Sequence, residues 1–139
     1  MTTEFENGHD TLADATRQKL KNVSKAFLRL HKTLLEGAKA DYEAQHGKIP
    51  NANVYLQLVI DDTHFAWLRK LSSMIALFDE ATSLRRPASE SEANALLNEA
   101  KILLNFEDAD KNFNDKLQMA LQNNSDAVIG FNHTKLQLD

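Results

Sequence analysis

The sequence predicts an all-α fold: one domain built like a four-helix bundle, with additional short helices attached. Three observations carry this. Gly and Pro are scarce, four and two in 139 residues, which is too few for the many turns of a β fold. Apolar residues recur at steps of three and four through most of the chain, the period of a helix buried along one side. The length suits one domain, because two half-size domains would each struggle to bury a core.

The elements follow in order. Residues 1–9 read as a loosely ordered arm. The start, "MTTEFENGHD", is polar and acidic with no apolar stretch, so no secretory signal is expected. No apolar run approaches the roughly 20 residues that a bilayer span needs. The expected compartment is the cytoplasm. A long helix then runs from Asp10, its expected N-cap, to Gly47 as its C-terminal stop. Leu20, Val23, Phe27, Leu30 and Leu34 form its apolar stripe. Such a helix would be about 55 Å long. Gly37, inside it, costs about 1 kcal/mol against alanine and softens it.

Pro50 in "KIPNAN" ends the first unit, and Asn51 or Asn53 can cap the next. "VYLQLVI" is rich in β-branched residues but has no partner strand anywhere in the chain. It is therefore read as a short, largely buried helix. Asp62, with Asp61 before it, caps a central helix with the stripe Phe65, Leu68, Leu71, Ile75 and Phe78. Trp67, Met74 and Ala81 make a second stripe, so this helix should be heavily buried, ending before Pro87. Ser89 and Glu92 have capping-box spacing, opening a helix that faces Ala93, Leu96, Leu97, Ala100, Leu103 and Leu104 inward. "EDADKN" is a polar connection. The next helix buries Phe113, Leu117, Ala120 and Leu121. A turn at Asn123 and Asn124, with Ser125 as cap, leads to a last helix through Leu136.

The runs "LHKTLLEGAKADYEAQHGKIP" and "LQLVIDDTHFAWLRKLSSMIALFDEA" resemble a family of small uncharacterised bacterial proteins. Its pattern is close to L-H-K-x-L-L, then Y-E-x-x-H-G, then L-x-D-P-x-F-x-W-L-R-P-L-S, then I-D-E. The likeness covers most of the chain from Leu30 onward, including "LQNNSDAVIGFNH". Thr63 and Lys70 stand where the family tends to have proline. Proline at the first position implies Asp62 as N-cap. At the second it implies a kink or a new helix start just after Arg69. The resemblance implies a fold and no activity.

Catalytic apparatus is sparse. No cysteine is present, which excludes disulfides and thiolate chemistry. No serine sits on a Gly-flanked elbow, and no Gly-rich phosphate loop appears. Asp61–Asp62 and Asp79–Glu80 are sequence neighbours and so do not face each other across a cleft. No cofactor is expected. A bundle can hold metal through Glu-x-x-His pairs. Glu43 and His46 have that spacing, with Asp61 and His64 a poorer echo, but both pairs fall at helix ends. His31 and His133 are the remaining metal candidates, if the last helix packs on the first.

Two further constellations invite a functional reading. Asp62, His64, Trp67 and Arg69 could surround a ligand. The competing and preferred reading wedges Trp67 between helices while Arg69 answers an acid on another helix. The other constellation is charge. Six basic residues and no acids lie between Ala15 and Leu35, against ten basic and twenty acidic residues in the rest of a chain of net charge −4. Arg17, Lys21, Lys25, Arg29 and Lys32 line one side of the first helix. The functional reading is a docking face for an acidic partner, with anionic lipid and, for want of interleaved aromatics, nucleic acid disfavoured; a homodimer is a separate expectation for the bundle as a whole. The structural alternative is a solvated face balanced by Glu90, Glu92, Glu99, Glu107, Asp108 and Asp110 on a neighbouring helix. The function expected is therefore non-enzymatic protein–protein interaction, with a metal- or small-ligand-binding bundle as the alternative.

Overall fold

The computed structural model describes residues 10–139; the expected arm at 1–9 lies outside the described residues. Among the described residues seven helices follow one another: α1 (Asp14–His46), α2 (Ala52–Asp61), α3 (Thr63–Ala66), α4 (Arg69–Ala81), α5 (Glu90–Leu104), α6 (Lys111–Gln122) and α7 (Ser125–Leu138). Among the described residues no strand forms, and one isolated antiparallel bridge joins Thr11 to Ser89. None of the described helices is long and apolar enough to cross a membrane.

The fold is all-α, and its frame is a ring of four helices. α1 packs on α4 and on α7, α4 packs on α5, and α5 packs on α7. Directions follow from cross-contacts. The Thr134 hydroxyl reaches the Ala26 carbonyl, and a methyl group at Gly130 would touch Leu30, so α7 runs antiparallel to α1. Arg17 reaches the Thr82 carbonyl while Phe27 meets Phe78 at 5.7 Å between ring centroids, so α4 is antiparallel to α1 as well. α5 starts beside the start of α1, where Glu90 N–H donates to the Asp10 carbonyl. The four helices thus run up, down, up and down, the short-loop bundle arrangement. Phe27, Leu30, Phe78, Leu104 and Phe113 are fully buried within it.

α1 has 33 residues against 13 to 15 in the other three frame helices. At about 1.5 Å per residue it is roughly 50 Å long and overhangs the bundle by some two to three turns. The overhang is where α2 and α3 sit. Tyr42 of α1 stacks near Phe65 at 5.7 Å and near His64 at 5.6 Å, and Tyr55 of α2 meets Phe65 at 6.1 Å. Gly37 does not break α1. A methyl group there would stand 3.2 Å from Asn124 Nδ2, so the glycine makes room for the start of α7.

Several expectations are corrected. Asp10 does not cap its own helix: α1 begins after Ala13, which supplies no side-chain cap. Asp10 instead accepts from the backbone N–H of Ser91, at 2.9 Å, and from its hydroxyl, at 2.8 Å. Glu90 returns the contact, accepting from Ala13 N–H at 2.9 Å and from the Thr16 hydroxyl at 2.6 Å. Two helix starts with orphan amides lie side by side, and each is capped by an acid from the other strand of chain.

α2 is helical, with Asn51 accepting from Val54 N–H at 2.9 Å, but it contains no buried residue. Leu56 and Ile60 are 58% and 51% exposed. The reason is position: α2 lies on the overhang, where only one side has a neighbour. The central helix is broken at Trp67–Leu68 into α3 and α4. Asp62 caps α3 by accepting from His64 N–H at 2.8 Å. Asn124, rather than Ser125, caps α7, which continues to Leu138. The capping box of Ser89 and Glu92 forms as the spacing predicts.

Candidate functional site

The residues singled out around Trp67 do not converge. His64 turns towards α1, its Nε2 lying 2.8 Å from the Ala38 carbonyl and its ring against Tyr42 and Phe65. Asp62 is a helix cap. Arg69 donates to the Ile60 carbonyl, meeting an otherwise orphaned acceptor at the end of α2. It answers a backbone oxygen rather than an acid. These three groups therefore fasten the corner between α2, α3 and α4.

Trp67 faces elsewhere. It is 9% exposed and packs on Phe113 of α6 at 6.1 Å between ring centroids. On its other side opens a groove of about 720 Å³ along the α4–α5 seam. Ala66, Trp67, Met74, Leu77, Ile102 and Leu103 form its apolar floor and walls. Arg69, Lys70, Ser73, Glu99, Asp108 and Asp110 form its rim. Leu77 also lines a smaller hollow further along the seam, beside Glu80, Arg86, Glu92 and Leu96. Of the four residues singled out in the sequence, Trp67 and Arg69 line this groove and Asp62 and His64 do not; its acidic wall was not anticipated. That wall comes from α5 and the connection after it, which no local pattern ties to Trp67.

The connection after α5 is shaped by specific bonds. Phe106 takes φ 60° and stacks on Phe131 at 5.6 Å. Asn114 Nδ2 donates to the Asp108 carbonyl at 2.9 Å. Lys70 pairs with Asp108 at 2.8 Å, the single salt bridge among the described residues. Burial pushes the Asp108 carboxyl up, but the hydrogen bond from Lys70, the N–H of Asp110 and the charge of Lys70 together hold it below the usual carboxylate value.

Among the described residues the metal candidates belong to no cluster of three or more ligands. Glu43 accepts from Ile49 N–H at 2.8 Å and so closes the turn after α1, while His46 stacks on Tyr42 at 4.5 Å. The pairing of Ala26 with Thr134 places His31 opposite residue 129, about one helical turn from His133. His31 is half-buried on α1, and burial pushes its imidazole below the usual range; His133 is exposed.

The basic residues of α1 are the second candidate surface. Arg17 bends away to the end of α4, donating to the Thr82 carbonyl at 2.6 Å. Lys21, Lys25, Arg29 and Lys32 are exposed and make no salt bridge. Of the acids expected to balance them, Glu90 reaches only the start of α1. α1 has α4 and α7 as its main neighbours and meets α5 mainly at the shared start. Glu99, Asp108 and Asp110 line the α4–α5 groove instead. Leu28, 57% exposed, stands among the cations.

Comparison with models of protein families, with curated proteins and with solved structures finds no match for this chain.

Proposed function

We propose that this protein is a non-enzymatic helical bundle that works by docking an acidic protein surface on the outward face of α1. The observation that carries the reading is the clustering of Lys21, Lys25, Arg29 and Lys32: four exposed cations around an exposed leucine, none of them in a salt bridge, with Glu36 one turn beyond Lys32 and Asp79, bonded to Ser24, only at the edge of the stripe. A solvated face can carry charge without purpose, but charges of one sign gathered on a protein of opposite net charge steer association and select a partner. Leu28 supplies the apolar contact that such an interface needs near its centre. Bacterial origin belongs to the same proposal, supported by the family resemblance from Leu30 onward. A cytoplasmic setting belongs to it as well.

A small-ligand reading has one observation in its favour. The Trp67 groove, at about 720 Å³, has the size of many ligand sites. It is open along the seam, however, and its walls suit an elongated occupant better than an enclosed molecule.

The test uses a synthetic amphipathic helix with a leucine stripe flanked by glutamates. Fluorescence anisotropy should detect binding that weakens about tenfold or more between low and high salt. Lys21→Glu/Lys25→Glu/Arg29→Glu should abolish it without altering the circular dichroism spectrum. Equal binding by the reversed variant would refute the role of this face.

A further inference from the structure

We infer that the groove between α4 and α5 receives the basic face of α1 from a second copy of the chain, so that copies associate head to tail. The inference rests on the docking role of α1 and names its acidic partner. Both surfaces belong to one molecule and do not overlap. The contact is therefore heterologous: each copy offers one ridge and one groove, and association can continue beyond a pair.

Shape, apolar surface and charge agree. The ridge from Lys21 to Lys32 spans about 16 Å of helix, and the groove runs about 12 Å along α4 from Arg69 to Leu77, with Trp67 at its end. Leu28 on the ridge is 57% exposed, and Leu77 and Ile102 in the groove are 46% and 37% exposed. Docking one on the other covers all three. The cations at the groove are largely engaged, Lys70 with Asp108 and Arg69 with the Ile60 carbonyl. Glu99 at the groove and Glu80 at the adjoining hollow remain to meet lysines and arginine, beside Asp110 and Glu92, which cap α6 and α5 and keep their charge, and opposite Arg86 in the same hollow. One helix in one groove covers less than the roughly 800 Å² per partner of a stable interface. The association is accordingly weak, and strongest at high protein concentration and low salt.

Two variants of the full chain test this. One reverses the ridge, Lys21→Glu/Lys25→Glu/Arg29→Glu. The other fills and reverses the groove, Leu77→Lys/Glu99→Lys, at two exposed positions; circular dichroism checks that both fold. Sedimentation velocity at about 50 mM salt should give a wild-type mass that climbs with concentration beyond one copy and falls back in high salt. Each variant alone should sediment as one copy. An equimolar mixture should associate again, because each variant retains one working surface that the other accepts. A wild type that remains a single copy at every concentration, a mixture that never pairs, or a pairing that survives either variant would each overturn the inference. The acidic helix separates this failure from that of the docking role. If it still binds α1 while the wild type stays monomeric, only the second-copy assignment falls; if neither association occurs, both do.

Discussion

Gly47 shows how one residue sets the geometry of the overhang. It ends α1 at φ 89° and ψ 169°, a conformation that residues with a side chain seldom adopt. Nothing lies within 4 Å of a methyl group placed there, so the constraint is purely backbone. Gly47→Ala should therefore destabilise the fold by about 1–3 kcal/mol, read as a lower denaturation midpoint at unchanged slope. An unaffected midpoint would mean that the turn relaxes freely. Asp10 and Glu90 make a second residue-scale case. The backbone N–H of Ser91 and then its hydroxyl hold the Asp10 carboxyl below its ordinary value. The N–H of Ala13 and then the Thr16 hydroxyl do the same for Glu90. With folded values depressed, the stabilisation is complete above the ordinary values of 3.8 and 4.5 and disappears as pH falls through the lower folded ones. Melting curves taken from neutral to strongly acidic pH should show Tm declining in that window, and declining less in Glu90→Gln. Parallel declines in both proteins would remove Glu90 from the acid response.

At the scale of elements, α4 and α2 make the sharpest contrast. Both are apolar runs of similar appearance, yet Phe78 is fully buried against Phe27 while Leu56 and Ile60 of α2 face solvent. Phe78→Ala should cost about 3–5 kcal/mol, whereas Leu56→Ala or Ile60→Ala should stay within about 0.5 kcal/mol. Chemical denaturation decides this, and a large loss from either α2 variant would mean that α2 is covered in solution. The same contrast explains what the sequence could reveal. The three-four spacing of Leu20, Val23, Phe27, Leu30 and Leu34 is a local signal, and the helix it predicts forms with that face inward. The Ser89–Glu92 box is equally local. Burial of "VYLQLVI" is not, because apolar composition says nothing about how many neighbours a helix has. The break at Trp67–Leu68 was hidden for a related reason: the apolar spacing runs through it, and only the resemblance, through Lys70, hinted at a restart nearby. Asp10 looked like a cap for the helix that follows it, but a chain 81 residues away offered it better donors.

For the whole molecule, the decisive fact is which helices are neighbours. An α1 lying along α5 would have had its cations balanced by Glu92, Glu99 and their companions. The ring of α1, α4, α5 and α7 instead turns the cations outward and sends the acids to the opposite seam. The sequence displayed the charge asymmetry plainly, six basic residues without an acid in one stretch. It could not display the separation, which depends on packing order rather than on composition. The Trp67 groove belongs to this scale too, since its two walls come from helices that only the closed ring brings together. The most direct test of an outward, partner-binding α1 is residue-resolved: amide chemical shifts of the isotopically labelled protein, titrated with the glutamate-flanked helix. The predicted result is perturbation centred on Lys21, Lys25, Leu28, Arg29 and Lys32, fading in high salt. Perturbation centred on Trp67, Leu77 and Ile102 with α1 silent, or no perturbation at any ratio, would contradict it.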